Sequence, residues 1–447
     1  MDKKRYIKND YLDNSLDSNQ AYPAIQENLF KLFREYEEKF DVISQLRLYS
    51  DGLTKIDTSL YIGSGGVVYT YFKLFEYFSE MKSQENINTQ EFEGLVKSTQ
   101  EKFEQSLDIN IKLVEHGKCK KGLECPSYFM SVAGLFTTGL MYYKKLGDQD
   151  QMETMVGKIL KHFEYFENDL GYYVEDEVLY GISGYLYSLL MILTEFDKNH
   201  KQTIQLCKRL IDVIIKDGKK WSKNQDFILI KWPRDRHENK FYLGGAHGLM
   251  GVLQMLLQAV NIIPDLQSDK NLMSVLKNSC DYLLDLQFES GNFPSSLGKK
   301  DDLLVHFCHG STGAVPFIIS AYKTFGDKIY LDALIKTAEL IWERGLLKKG
   351  NGICHGISGN GLALHSMYRF MNDDLWLERS VHFGLATFDE DIQKIVAEYD
   401  DPGRMKVGIP DTPYSLMEGL GGQIVFYCEL LRKDKKLVRF PGYEILY

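Results

Sequence analysis

Apolar residues along this chain fall into two kinds of segment that alternate from one end to the other. One kind is apolar nearly all round, as in Val67-Val-Tyr-Thr-Tyr-Phe-Lys-Leu-Phe75, Tyr185-Leu-Tyr-Ser-Leu-Leu-Met-Ile-Leu193 and Val252-Leu-Gln-Met-Leu-Leu257. Such segments predict helices with neighbours on every side. The other kind is amphipathic. Between Asn271 and Gln287, the residues Leu272, Val275, Leu276, Ser279, Leu283 and Leu286 recur at three- and four-residue steps, with Lys277, Asn278 and Asp285 off that stripe.

Each all-apolar segment follows a Gly-x-x-Gly cassette. The cassettes begin at Gly63, Gly181, Gly248, Gly310, Gly356 and Gly419, with a degraded copy at Ser131 to Gly134. Every unit reads as helix, connection, cassette, helix, and one such unit cannot bury its own apolar face. Apolar inner helices surrounded by amphipathic outer ones predict an all-α fold, an α/α toroid or barrel with seven inner and seven outer helices. Glycine suits each inner-helix start because it permits tight turns and close backbone approach. In such a barrel the inner-helix N-termini gather at one end, where unpaired N–H groups would favour anionic ligands.

No composition break or Ser/Gly/Pro linker interrupts the pattern, so residues 1–447 are expected to form a single domain. Residues 1–23 read as an N-terminal arm and 217–242 as a long connection. Its Trp221, Lys231, Trp232, Arg234 and Arg236 make it a candidate exposed docking insertion. The net charge of −9 argues against a nucleic-acid binder. No apolar run is long enough to span a bilayer and the start has no signal-peptide core, so a cytosolic (cytoplasmic) enzyme or binding protein is expected. Seven scattered cysteines are not a disulfide framework. Cys207, Cys280 and Cys428 lie in helical apolar patterns and read as core residues, while Cys119 and Cys125 flank a Lys-rich connection without neighbouring histidines.

Two cassettes differ from the rest by what precedes them: Cys308-His309-Gly310 and Cys354-His355-Gly356. Zinc favours sulfur and imidazole nitrogen in a tetrahedron, and a catalytic site keeps the fourth position open. Adjacent residues on a regular helix diverge by about 100°, but in the turn that starts a helix Cys354 and His355 can both face a metal. Cys308, one repeat away, can supply the third ligand. His309 is then a group behind the ligands or in the pocket before it is a ligand, and His306 competes for the same roles.

With these motifs in hand, the sequence resembles the lanthionine cyclase-like family, in particular its eukaryotic glutathione-binding branch. The resemblance rests on Arg5-Tyr-Ile-Lys-Asn9-Asp-Tyr11, Leu179-Tyr-Gly-Ile-Ser-Gly-Tyr185, Gly244-Gly-Ala-His-Gly248, the two Cys-His-Gly motifs and Pro410-Asp-Thr-Pro-Tyr-Ser-Leu-Met-Glu-Gly419. It implies an α/α toroid with one zinc held by Cys308, Cys354 and His355. It also implies addition of the glutathione thiol to dehydroalanine or dehydrobutyrine in proteins that have lost phosphate. His247 is implied as the acid that protonates Cα, and Arg5 and Lys349 as contacts to the glutathione carboxylates. Glu418 would orient a cation or bind the amino group, and Asn9 and Tyr11 would pin the N-terminal arm.

The chain departs from the family pattern at Gly408 and Ile409, where relatives place arginine, and at Ile182, where they often do. Arg404 or Lys406 would have to supply the missing carboxylate clamp. Two readings from other classes stand beside this one. A prenyltransferase-type barrel would add a carboxylate ligand to the zinc, and a non-catalytic zinc- and glutathione-binding adaptor or redox sensor would bind without adding the thiol. Bacterial-type peptide cyclisation is less favoured, because Leu304-Val-His-Phe-Cys308 lacks the charged residue those enzymes often place before the first zinc cysteine.

Overall fold

The computed structural model describes residues 5–9, 17–39, 56–83, 89–117, 125–234, 240–399 and 412–447. Their α-helices, in chain order, are α1 (Ser18–Lys39), α2 (Ser64–Lys82), α3 (Thr89–Glu115), α4 (Val132–Leu146), α5 (Gln149–His162), α6 (Ile182–Glu195), α7 (Lys201–Trp221), α8 (Leu249–Ile262), α9 (Pro264–Gln267), α10 (Lys270–Leu284), α11 (Ser311–Phe325), α12 (Lys328–Arg344), α13 (Ile357–Met371), α14 (Asp374–Ala386), α15 (Glu390–Glu398) and α16 (Leu420–Leu431). Among the described residues there is no strand longer than an isolated bridge.

Helices α2, α4, α6, α8, α11, α13 and α16 each start directly behind the first residue of a cassette or its degraded copy. They are buried nearly all round: every residue from Leu249 to Val260 of α8 and from Ile182 to Leu193 of α6 is buried. The intervening helices bury one stripe. In α10 it is Leu272, Val275, Leu276, Ser279, Cys280 and Leu283, and the Asp269 side chain caps the helix by accepting from the Asn271 and Leu272 amides.

The chain divides into two compact units, Met1–Gly122 with Trp342–Val438, and Leu123–Ile341 with Arg439–Tyr447. In the first unit α2 pairs with α3, α13 with α14, and α16 packs on α1 and α2. In the second, α4 pairs with α5 and α6 with α7, and α8 packs on α6, α10 and α11.

The cassette glycines answer a demand for space more than for backbone freedom. Gly63, Gly181, Gly248, Gly356 and Gly419 are in extended conformations open to any residue, whereas Gly310 sits at φ 103°. A Cβ on the second glycine of a cassette would stand 2.6 Å from Leu60 O at Gly66, 2.1 Å from Val178 O at Gly184, 2.0 Å from Gly245 O at Gly251, 1.8 Å from Ile353 O at Gly359 and 2.3 Å from Leu416 O at Gly422. In every case the oxygen belongs to the residue six positions earlier, so the connection folds back over the helix start.

That fold-back uses the first amides of the inner helices. Ser64 N donates to Asp57 O, Ile182 N to Glu175 O, Leu249 N to Tyr242 O, Ile357 N to Gly350 O and Leu420 N to Pro413 O, and Ser311 N donates to Asn292 Oδ1. The expectation of unpaired first N–H groups for anionic ligands is therefore corrected, because these six amides already have protein acceptors. The same connections carry main-chain bonds between neighbouring repeats: Cys354 N to Met417 O and Met417 N to Tyr61 O in the first unit, Leu179 N to Ala246 O and Gly245 N to Phe307 O in the second.

Cys207, Cys280 and Cys428 are buried core residues, and burial pushes their thiols well up. Cys119 and Tyr11 lie outside the described residues. Asn9 is buried and donates from Nδ2 to Trp342 O at 2.6 Å, which pins the N-terminal segment to the end of α12.

Two predictions follow from this packing. Gly359→Ala would place a methyl group on a carbonyl and is expected to cost more than about 3 kcal/mol or to prevent folding. Gly157→Ala, in exposed α5 with nothing near its Cβ, should raise stability by about 0.5–1 kcal/mol; denaturant melts of both variants check this. The second concerns acid. His162 and His365 are buried, each donates from Nε2 to a carbonyl (Cys125 O and Lys435 O), and burial lowers them to about 4 and about 3. Their folded values lie below the unfolded value, so the stability they favour is complete above pH about 6.5 and is lost as pH falls toward 4, on the order of 3 kcal/mol each. The unfolding midpoint should drop over that window, and less steeply in His365→Gln.

Candidate functional site

The residue immediately before each cassette is where the chemistry collects. In the third to seventh repeats this position holds Tyr180, His247, His309, His355 and Glu418, and the position before it holds Cys308 and Cys354 in the fifth and sixth. Since the main chain of these turns is held by the fold-back bonds, the side chains at these positions vary without changing the turn.

In the second unit, His247 Nδ1–H donates to Glu177 Oε2 at 3.1 Å. Glu177 is fully buried and also accepts from Leu179 N at 2.8 Å and Tyr180 N at 2.5 Å. Its place in the turn explains it. Four residues before other cassettes, Ser127 and Ser415 cap the same amide of their own turns, at Met130 N and Glu418 N. Glu177 replaces that hydroxyl with a carboxylate whose second oxygen reaches the next repeat's histidine.

The His247 ring is walled by aromatics. Trp232 stacks on it with centroids 4.3 Å apart and Tyr180 with 5.8 Å, both near parallel. His309 lies 5.0 Å from the Tyr242 ring and 6.3 Å from that of His247. The connection expected as an exposed docking insertion exposes residues 223–226 but turns the cations and aromatics around Lys231, Trp232 and Arg234 inward. Trp221 belongs to α7, Lys231 is buried with its ammonium over the Trp221 ring, and the Arg234 guanidinium pairs with Asp176 and, at 3.1 Å, with Asp217. Burial raises the Asp176 and Glu175 carboxyls to about 7 against the pull of Arg234, whose backbone amide also donates to Glu175 at 2.9 Å. Arg236 lies outside the described residues.

Cys308 sits on a tight turn closed by the bridge between Val305 and Gly310 and by His306 N donating to His309 O. Asn292, buried, holds this turn from a neighbouring loop. Its Nδ2 donates to Asp302 Oδ1 at 2.8 Å and Leu304 O at 3.1 Å while its Oδ1 accepts from Ser311 N at 3.0 Å. His306 is buried.

In the first unit, Cys354 and His355 are both buried. The Tyr61 hydroxyl donates to Cys354 Sγ at 2.7 Å. Glu418 accepts from Thr412 Oγ1 at 2.9 Å. Arg5 and Lys349 are drawn near by main-chain pairing of the N-terminal segment with residues 346–348: Ile7 N donates to Leu346 O and Lys348 N to Arg5 O. Arg404, Lys406, Gly408 and Ile409 lie outside the described residues. Ile182 is buried at the start of α6.

Among the described residues, Cys308, Cys354 and His355 form a group whose donor atoms all lie within 4.8 Å of one another. Two sulfurs and one imidazole nitrogen are a donor set suited to zinc with one position left for another ligand. His309 is not part of this group.

Residues 54–445 match the family described as lanthionine synthetase C-like protein. The chain belongs to that family. Among curated relatives, the Danio rerio glutathione S-transferase LANCL1 is 35% identical over 276 residues, 60% of this chain, and the chain spans 62% of that relative's length. The Arabidopsis thaliana LanC-like protein GCL1 is 27% identical over 321 residues, covering 70% of this chain and 69% of its own. Nisin cyclase superposes with a TM-score of 0.64 at 18% identity, over 91% of this chain and 94% of its own. That likeness shows the fold, the all-α toroid of this family.

Sequence reading missed Glu177, Trp232 as a ring partner, Asn292 and Tyr61. Glu177 had a signal, the carboxylate at a turn position where three other repeats carry serine, Ser59, Ser127 and Ser415. Asn292 had none, since its partners are set by the fold. Removing its side chain in Asn292→Ala leaves the buried Ser311 amide and Leu304 carbonyl without it, and is expected to cost about 2–4 kcal/mol, measured by equilibrium unfolding.

Proposed function

We propose that this protein is a zinc-dependent glutathione transferase that adds the glutathione thiol to dehydroalanine or dehydrobutyrine residues of proteins or peptides. The observation that carries the reading is the Cys308, Cys354 and His355 donor group. The zebrafish relative's name, glutathione S-transferase, supports the thiol, and the His247–Glu177 pair supports the proton chemistry.

Zinc held by these three residues would keep a substrate thiol ionised at neutral pH. Sulfur then bonds to the β-carbon, and the electrons of the double bond move onto Cα and its carbonyl. His247 returns the proton to Cα from Nε2. The Glu177 carboxylate, which accepts from Nδ1–H, fixes that tautomer and stabilises the imidazolium before transfer. Trp232 stacks on the His247 ring and Tyr180 lies beside both, which limits water on that side.

The glutathione carboxylates need cations, because the first amides of six inner helices are already bonded. Arg5 and Lys349 are assigned to them, with Arg404 or Lys406 as the further cation. Glu418 is assigned to the amino group, and His309 to the pocket wall beside Tyr242. The test is metal analysis together with glutathione addition to a dehydroalanine-containing peptide. The wild type should carry one zinc and add the thiol, and Cys354→Ala should lose both properties. His247→Ala should keep the metal and slow addition by about 10²–10⁴-fold, and Glu177→Gln by a smaller factor. A zinc-loaded wild type without addition would replace the enzyme reading with a zinc- and glutathione-binding adaptor.

A further inference from the structure

Tyr61 stands two residues before the first cassette, the same register that Cys308 and Cys354 hold in their own repeats. It is 8% exposed, and its phenol O–H donates to Cys354 Sγ at 2.7 Å. The main chain joins the same two residues by a second route: Tyr61 O accepts from Met417 N at 3.1 Å, and Met417 O accepts from Cys354 N at 2.7 Å. Side chain and backbone thus fix the hydroxyl relative to the sulfur from both ends.

Phenylalanine would fill the same space, and burying an O–H against a neutral thiol, a weak acceptor, recovers little of the hydration it gives up. Against a thiolate the balance reverses, since hydrogen bonds to ionised acceptors are roughly twice as strong. Such a bond is therefore favoured once the Cys354 sulfur is a metal-bound thiolate.

We propose that Tyr61 is a positioning residue of the metal centre. Its O–H fixes the direction of the Cys354 sulfur and draws charge from it. The inference rests on the zinc reading above. Two protein thiolates and the sulfur of an incoming thiol would put three negative ligands around one divalent ion. A neutral donor on one of them reduces what that sulfur gives to the metal, so the metal retains the acidity needed to ionise the incoming thiol. No proton leaves Tyr61 in this role.

The experiment uses the full chain loaded with cobalt(II) in place of zinc, whose sulfur-to-metal charge-transfer bands report charge on the ligating sulfurs. Tyr61→Phe removes the hydroxyl and keeps the ring. The bands should move to longer wavelength, because charge returns to the Cys354 sulfur. A folded Tyr61→Phe protein with unchanged bands overturns the proposal, and a purely structural role would lower the unfolding midpoint without moving the bands. Should Tyr61→Phe not accumulate, 3-fluorotyrosine placed at position 61 strengthens the same donor. The bands should then move to shorter wavelength, and no movement overturns the proposal. If unaltered protein shows no sulfur-to-cobalt band at all, the metal reading itself falls and this inference with it, an outcome distinct from normal bands that ignore Tyr61.

Discussion

The structure depends on a carbonyl oxygen standing where a β-carbon would be. At Gly66, Gly184, Gly251, Gly359 and Gly422 the connection before each inner helix folds back so far that only a hydrogen fits between its carbonyl and the helix. This one contact shortens the turn, supplies acceptors for the first helical amides and presents the two residues before the cassette as a fixed pair. The two residues are free to differ in chemistry because their backbone is already satisfied.

The consequence for ligand binding runs against a simple dipole argument. Inner-helix N-termini suggest a ready anion site, yet Ser64, Ile182, Leu249, Ile357 and Leu420 have given their amides to carbonyls of their own turns. An anionic substrate must therefore be met by side chains. This gives weight to Arg5 and Lys349, which the short antiparallel pairing beside Leu346 to Lys348 holds near one another.

Much of the fold was legible because repetition makes each reading a check on the others. The cassette positions, the all-round apolar helices and the one-stripe outer helices all appear where periodicity put them, α10 down to Leu272, Val275 and Leu283. The Cys-His pairs were legible because they break the repeat at a shared register. The His247–Glu177 contact was not, since it joins one repeat's capping residue to the next repeat's cassette, a pairing that only the stacking of turns creates. Trp232 was misread for a related reason: a long polar connection with aromatics looks like a surface, but the buried Arg234, Asp176 and Asp217 charges fold it inward. Asn292 gave no sequence signal, because its value lies in the atoms it touches, and Tyr61 gave only the register it shares with Cys308 and Cys354.

Serine and glutamate cap the same amide in different repeats, with different reach. At Ser127 and Ser415 a hydroxyl caps the amide, whereas Glu177 caps it with Oε1 while Oε2, which also accepts from Leu179 N, reaches His247. A carboxylate at this position thus reaches a neighbouring histidine without giving up the cap of its own turn. Because each turn is held by its own bonds, one repeat can carry different chemistry while its siblings keep the architecture standing.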